Sequence, residues 1–411
     1  MRAFLHPLVA GVLAALFVLQ TAAPEVACAR CGWRPPVSVR AVAVRDTAGL
    51  ERAVESARPG DTILLADGQY ALTRTIDIRV PNVTIRGRSG LRERVELHGN
   101  GMTRDQVGVA FSISSAGVTL ADLTVRDVAY HAIQVRGEQG ASNFTLHNAR
   151  ILDAGQQLVK GSFAGDGRYA DDALLACSEF SYTTSAPSDY TNAVGALGVK
   201  GWTVRDNRFL RIRGPESGGW RAGPTILLWA GSIDSLVERN VIVDSFRGIA
   251  LGLGIGGATA TRDMTMSYDH LRGAVRHNVI QNFHAWADEA IEVNAGRDAR
   301  IEHNTVLVEG SIPWSIAVRY PSSSAQVRNN LTNRPVFLRD GGRAGLAGNI
   351  DGANRQWFID APGGDFHLVP GAARARDSGV VIADVPLDFD RLPRVAGRAP
   401  DAGAFEWRPV R

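Results

Sequence analysis

Apolar residues recur along the chain in a six-residue pattern, with Asn or a substitute at its fourth position and apolar residues at its first and sixth. The clearest copies are centred on Asn207, Asn240, Asn278, Asn304 and Asn330. Weaker copies place Leu123, Ala149, Ser178 and Asn349 at the same point. Successive spacings from Leu123 are 26, 29, 29, 33, 38, 26, 26 and 19 residues. A pattern that returns at such intervals indicates stacked repeats rather than one globular core.

The segments that flank these positions predict short β-strands. Val, Ile, Thr and Phe alternate with other residues, as in Val118 to Leu120 and Val241 to Val243. One coil of a parallel β-helix needs roughly 20 to 30 residues, and stacked coils bury a core that no single coil buries alone. We therefore expect an all-β fold, a right-handed parallel β-helix solenoid of roughly ten coils.

The repeated Asn has a structural explanation. Asn tolerates left-handed backbone at a tight bend, and identical side chains stacked at the strand spacing can form a hydrogen-bonded ladder. We expect the Asn residues to build such a ladder rather than to bind a ligand.

The extent of the repeat predicts the domain boundaries. It occupies residues 75–350 without a linker, which indicates one elongated domain. Residues 30–74 are the expected N-terminal cap, because Thr47 to Ala57 has helical periodicity and Arg58 to Asp61 ends that helix before a strand. A cap covers strand edges that would otherwise recruit other chains. Residues 351–411, where the repeat fades, are the expected irregular C-terminal cap.

Residues 1–29 have the features of a signal peptide. A short basic start precedes an apolar run from Phe4 to Leu19, and small residues follow it. The protein is therefore expected to be secreted or periplasmic. The run is short for a bilayer and no second candidate follows, so no integral membrane protein is expected. Cys28, Cys31 and Cys177 are too few to staple a domain of this size, and their state is left open.

The formal net charge is only +3, so the whole-molecule charge does not favour a nucleic acid as partner. Attraction to an acidic ligand must come from a local patch. We expect a monomer without a nucleic-acid partner.

Four stretches resemble those of a known group of proteins. They are Ala57 to Ile63, Asp67 to Tyr70, Asn82 to Ile85, and the closing segment that includes Asp401 to Trp407. They are similar to secreted right-handed parallel β-helix proteins, among them alginate and chondroitin lyases, and the resemblance covers nearly the whole mature chain. That scaffold also carries epimerases, hydrolases and noncatalytic binders, so the fold alone does not give the function.

The resemblance implies a calcium-bound carboxylate cluster, a Lys base and an Arg. Asp288 to Glu292, followed by Arg319, is similar to part of this motif. The Lys expected a few residues downstream is absent, and Glu289 and Glu292 are one residue further apart than the motif's pair. Calcium as a cofactor is therefore left open, and no metal ligand is assigned.

Polar residues are predicted to line one face of the solenoid. A further strand precedes each Asn-centred bend, and these strands should stack into one parallel sheet in which Ile and Val point inward. The residues predicted to point outward are Gln134, Arg136, Trp229, Glu292, Asn294, Arg319 and Arg339. An inward Val159 sends Lys160 to the same face.

This largely basic strip suits an acidic polysaccharide. Guanidinium groups pair with uronate carboxylates, and an exposed indole stacks on a sugar face. The predicted substrate-binding residues are Arg136, Gln134, Trp229, Glu292, Asn294, Arg339 and Gln156. The structural alternative is that the arginines of the strip pair with carboxylates on neighbouring coils, such as Glu138 and Glu292.

Lys160 is the predicted catalytic base. It is one of only two lysines, and among basic groups on the strip only a lysine can lose its proton when its pKa falls. β-Elimination in a uronate polymer needs a neutralised carboxylate, a base for the C5 proton and an acid for the leaving oxygen. Tyr190 or His131 is the expected acid. Arg136 and Arg319 are the expected contacts of the carboxylate.

Three other functions stay open. A noncatalytic glycan-binding or structural surface protein would use the same strip without turnover. A uronan C5-epimerase would use the same proton abstraction. An inverting glycoside hydrolase would need carboxylates on either side of a water. Its candidates are Asp153, Asp166, Asp171 and Asp172.

Overall fold

A computed structural model describes residues 32–165, 167–254, 261–263, 265 and 267–409. The predicted signal peptide, Cys28, Cys31 and Asp166 lie outside these residues. Within them the chain winds as a right-handed parallel β-helix, as the repeat predicts. No helix in this part of the chain has the length and apolar character needed to cross a membrane.

One face of the solenoid is a ten-stranded parallel sheet in chain order. Its strands are Ile76–Ile78, Val109–Ile113, His131–Arg136, Val159–Ser162, Val194–Leu197, Pro224–Trp229, Arg247–Leu251, Ile291–Asn294, Ile316–Arg319 and Val336–Arg339. The strands that the sequence predicts ahead of the Asn-centred bends belong to this sheet. We call it the ten-stranded sheet.

The other faces form a twenty-stranded parallel sheet. Its strands are Arg40–Val44, Asp61–Leu65, Gly68–Ala71, Thr84–Gly87, Val95–His98, Thr119–Arg126, Thr145–Leu152, Leu174–Ala176, Glu179–Ser181, Thr203–Arg205, Arg208–Leu210, Leu236–Glu238, Val241–Val243, Ala274–Arg276, Val279–Asn282, Ala299–Glu302, Thr305–Val308, Ser324–Arg328, Leu331–Thr332 and Arg343–Ala347.

Smaller elements complete the described part of the chain. Ser232–Ile233, His270–Leu271 and Gly296–Arg297 form a three-stranded parallel sheet, and Phe358–Asp360 pairs antiparallel with Asp365–Leu368. The α-helix is Thr47–Glu55, and the 3₁₀ turns are Arg92–Arg94, Asp105–Val107, Gly137–Gln139, Glu216–Gly218 and Arg355–Trp357.

The core consists of inward apolar columns. In the ten-stranded sheet, partners in register include Ile133, Val159, Val194, Ile226, Ile249, Ile291 and Ile316. Each of these side chains is at most 1% exposed. Burying such a side chain contributes about 1.5 to 3 kcal/mol, which explains why the apolar period fixes the register.

The Asn ladder is present. Each side-chain amide donates to the Oδ1 of the next Asn, from Asn207 through Asn240, Asn278, Asn304 and Asn330 to Asn349. The five Nδ2 to Oδ1 distances are 3.1, 2.9, 3.0, 2.9 and 2.9 Å. The expectation that Asn itself takes the left-handed backbone is wrong, because the preceding residue does so, as in Arg239 (φ 51°) and His277 (φ 56°). The bend at that residue turns the Asn side chain into the ladder.

The first coil lies beside the helix Thr47–Glu55. Asp46 caps this helix by accepting a hydrogen bond from the Gly49 backbone N–H at 2.6 Å, and Leu50 is fully buried. The C-terminal segment lies along the side of several coils, where Phe358 and Phe366 share an apolar cluster with residues of the twenty-stranded sheet such as Leu307. The last coil keeps Leu338 and Leu346 exposed.

Candidate functional site

Lys160 lies near the middle of the outer face of the ten-stranded sheet. It is in register with Gln134 on one side and Gly195 on the other. Its neighbour Val159 points into the core and is fully buried, so the alternation of the strand directs Lys160 outward, as predicted.

The Lys160 ammonium has no carboxylate partner among the described residues. Its Nζ lies 5.9 Å from the centre of the Tyr190 ring, in cation–π range. Tyr190 is 45% exposed, so its phenol is accessible from solvent. Two of the predicted catalytic groups are therefore neighbours.

Gly195 leaves a notch beside Lys160. A Cβ at this position would come within 3.2 Å of both the Gln157 and the Asn192 side chains. These two amides are each only 2% exposed and form the floor of the notch. The Gln157 Nε2 donates to the Asn192 Oδ1 at 3.4 Å, while Gln157 Oε1 has no partner within the described part of the chain.

His131 lies close to this notch and is neutral at physiological pH. Burial, together with the positive charge of Lys160, lowers the pKa of His131 to about 3. Its Nδ1 has no hydrogen-bond partner among the residues described. Of the two predicted acids, Tyr190 is therefore the better proton donor, because a neutral imidazole has no labile extra proton.

A polar network extends from Lys160 toward the N-terminal coils. Gln134 donates to the Ser162 hydroxyl at 3.2 Å, and that hydroxyl donates to Glu138 at 3.0 Å. Arg136 donates to the same carboxylate at 3.0 Å. Arg136 thus has the partner that the structural alternative named for it.

Toward the C-terminal coils, the outer face carries a compensated charge cluster. The Arg247 guanidinium contacts Glu292 at 2.5 Å, Asp288 at 3.5 Å and Glu289 at 3.9 Å. Asn294, a predicted binding residue, donates to Glu292 at 2.7 Å. Glu292 and Asn294 are only 1% and 5% exposed, so their first role is to satisfy this cluster.

Glu289 holds its proton unusually tightly. Burial, with a further contribution from the Glu292 charge, raises the pKa of Glu289 to about 7. It accepts hydrogen bonds from the Trp314 indole at 2.9 Å and from Arg339 at 2.7 Å. Arg339 therefore also has a carboxylate partner.

The carboxylates of this cluster do not fit a calcium site. Calcium takes six to eight oxygen ligands, whereas here the positive charge among Asp288, Glu289 and Glu292 is supplied by Arg247. In the described ranges, no group of three or more His, Cys, Asp or Glu side chains is arranged to hold a metal ion. The partial resemblance to a calcium-dependent motif therefore does not extend to its geometry.

Arg319 is not part of the group around Lys160. It forms an ion pair with Asp340 at 2.6 Å. Its strand is five strands further along the ten-stranded sheet than the strand of Lys160, which corresponds to about 24 Å. One centre cannot use both side chains on the same sugar.

The expectation of an exposed Trp229 is wrong. Its strand has the predicted register, but the side chain is 9% exposed. Phe163, Leu197 and Leu253 pack with it in a small apolar cluster on the outside of the sheet. Side chains from neighbouring coils cover the indole. The alternation of residues within a single strand cannot predict this contact.

The remaining candidates have structural partners. The Gln156 carbonyl accepts a hydrogen bond from the Tyr182 hydroxyl at 2.7 Å, and its side chain is half-buried in the turn before the Lys160 strand. Asp153 accepts from Thr183, and Asp171 forms a two-pronged pair with Arg262 at 2.7 and 2.8 Å. These carboxylates therefore hold loops in place.

Sequence reasoning missed a cluster at the edge where the strands of this sheet begin. Trp220 and Trp286 lie 5.6 Å apart between ring centres, and the guanidinium of Arg213 is 4.0 Å from the centre of the Trp220 ring. A signal was available, because an aromatic residue precedes most strands of the sheet by a few positions.

No family model and no curated protein sequence matches this chain. Solved structures are similar to it. Pectate lyase Pel9A has a TM-score of 0.56 at 13% identity, over 90% of this chain and 97% of that one. A PL6 family polysaccharide lyase from Pseudopedobacter saltans has a TM-score of 0.44 at 13% identity, over 86% and 98%. An alginate lyase from Paenibacillus sp. has a TM-score of 0.43 at 13% identity, over 76% and 99%. The similarity to Pel9A agrees with the parallel β-helix fold.

Proposed function

We propose that this protein cleaves an acidic, uronate-containing polysaccharide by β-elimination at Lys160. The observation that carries the proposal is the Lys160 amine, which has no carboxylate partner among the described residues, beside Tyr190 and the notch at Gly195. The arginines that the sequence placed on the strip have carboxylate partners, whereas this cation is available to a ligand.

The proposed chemistry needs a base, an acid and donors to the uronate carboxylate, and the part of the donors falls to Gln134 and Ser162 beside Lys160. After its ammonium has released a proton to solvent, the Lys160 amine takes the C5 proton of the uronate, the C4–O4 bond breaks, and the electron pair of the C5–H bond forms the C4=C5 double bond. The leaving O4 receives a proton from the Tyr190 phenol. Base and acid catalysis of this kind contributes about 10²- to 10⁴-fold each.

The substrate is proposed to lie along the outer face of the ten-stranded sheet. Gln134 and Ser162, which are half-buried on this face, offer hydrogen-bonding groups near the reacting sugar. These groups suit sugar hydroxyls and carboxylate oxygens, and the length of the sheet suits a chain-like ligand.

We also propose that the protein is exported. The apolar start of the sequence motivates this, and Cys177 is disulfide-bonded in the structure. Structural disulfides persist in oxidising compartments and are rare in the cytosol.

The test is an ultraviolet assay for the conjugated double bond formed by elimination, with alginate, pectate, hyaluronan and chondroitin as substrates. We expect absorbance to rise with one of these polymers. Unchanged absorbance with all four, together with binding to one of them, would contradict the enzyme proposal and favour a noncatalytic glycan binder.

A further inference from the structure

Aromatic residues gather along one edge of the ten-stranded sheet. Because parallel strands all begin at the same edge, residues just ahead of successive strands become neighbours in space. These residues are Tyr130, Tyr190, Trp220, Phe246, Trp286 and Trp314. Tyr190 is also the proposed acid, so this edge borders the reacting sugar.

Two of these aromatic residues contact the same arginine. The Arg213 guanidinium lies 4.0 Å from the centre of the Trp220 ring and 5.8 Å from that of Trp286. His284 stacks on Trp286, with the two ring centres 4.9 Å apart and an interplanar angle of 11°. The indoles fix the guanidinium in place without neutralising it.

The charge of Arg213 is not compensated by an ion pair in the described part of the chain. The nearest carboxylates, Asp244 and Glu216, act on it only at longer range, and Asp244 instead approaches His284 at 3.6 Å. The buried Arg213 Nε has no hydrogen-bond partner among the described residues. Arg339 on Trp314 has a similar stacked geometry, at 4.7 Å, but it is paired with Glu289. Of these two arginines stacked on tryptophan rings, Arg213 is therefore the one whose hydrogen-bond donors are available to an anion.

We infer that Arg213, Trp220 and Trp286 form a subsite for an anionic sugar, with the carboxylate on the guanidinium and the sugar ring against an indole. This inference rests on the proposed function, because it uses the same acidic polysaccharide. Trp220 precedes the strand two steps from that of Lys160, so the subsite lies about 10 Å along the sheet from the reacting sugar. A short oligosaccharide spans both places.

The test is affinity electrophoresis of the full chain in gels that contain polygalacturonate, alginate or a neutral galactan. We expect retardation in an acidic gel, and an apparent affinity about tenfold weaker for Arg213→Gln and for Trp286→Ala. Arg398→Gln removes the same charge from a side chain that is 92% exposed in the C-terminal segment, and it is expected to behave like the wild type. Circular dichroism confirms that each variant is folded.

The outcomes separate this inference from the proposed function. Lys160→Met should lower the elimination rate about 10³-fold yet keep most of the retardation, whereas Arg213→Gln should raise KM and leave kcat nearly unchanged. Weaker retardation of Arg213→Gln without elimination by the wild type supports the subsite and overturns the lyase. Equal retardation of Arg213→Gln and wild type, or no retardation of the wild type in acidic gels, overturns the subsite.

Discussion

The two halves of the ten-stranded sheet have similar strands, but they differ in whether the charged side chains on the outer face have partners. Around Lys160, the outer face carries a notch, and among the residues that the structure describes the Lys160 ammonium has no carboxylate partner and the Gln157 amide oxygen has no hydrogen-bond partner. Around Arg247, three carboxylates and their arginines neutralise one another, and Glu292 is almost fully buried. The half around Lys160 therefore has an uncompensated charge that can contact a ligand, whereas the charges around Arg247 are compensated within the fold.

This difference shows that a polar residue in an outward register is not yet a binding residue. The deciding property is whether its charge already has a partner on the neighbouring coil. Buried pairs are costly to break, because removing one member leaves the other charge desolvated. Each half of the sheet should therefore respond differently to the loss of a charge.

The largest expected effect is on catalysis at Lys160. Lys160→Met removes the proposed base, so the rate of elimination should fall about 10³-fold with little change in stability. The matched control is Lys200→Met, which removes the other lysine from an exposed position off the strip. Initial rates of ultraviolet absorbance measure both. Full activity of Lys160→Met would remove this residue from the mechanism.

Loss of a charge in the other half should instead affect stability. Arg247→Met leaves Glu292, whose side chain is 2% exposed, without its cation. We expect the free energy of unfolding to fall by about 3 kcal/mol. Arg300→Met, which breaks an ion pair between two exposed side chains, should cost at most about 1 kcal/mol. Urea unfolding measures both variants, and equal losses would mean that the Arg247 cluster is not a buried network.

The pH dependence of stability should be traceable to Glu289. Its pKa of about 7 lies above the ordinary value of 4.5, so the folded state binds this proton more tightly than the unfolded chain. That stabilisation is fully present below about pH 4.5 and is lost as pH rises through about 7. Glu289→Gln should therefore gain stability relative to wild type between pH 5 and pH 8, by about 2.5 kcal/mol. A difference that does not change with pH would contradict the raised pKa.

The smallest effect is expected at Arg319. It lies five strands from Lys160 and already contacts Asp340. Arg319→Gln should change kcat/KM by less than about twofold, because no single centre includes both residues. Steady-state kinetics on the same polymer test this. A large drop in kcat would mean that the reacting sugar lies near the C-terminal coils.

The fold could be predicted because its cause is local and repeated. The spacing of apolar residues predicts the inward columns, and the aligned Asn positions predict the ladder. The site could be predicted only in part. Partners such as Glu289 for Arg339 lie 50 residues apart in the chain, and coils of unequal length hide which residues become neighbours. The burial of Trp229 could not be predicted for the same reason, because the side chains that cover it belong to other coils.

The proposed mechanism requires the Lys160 amine to face a bound acidic saccharide, and the chain allows this contact to be measured directly. It has only two lysines, so reductive methylation with ¹³C-formaldehyde places NMR labels at Lys160, at Lys200 and at the terminal amine. Lys160→Met assigns the first of these signals. When an acidic oligosaccharide from the active polymer is added, we predict that the Lys160 signal shifts and the Lys200 signal does not. A Lys160 signal unchanged at saturating oligosaccharide would contradict the proposed mechanism.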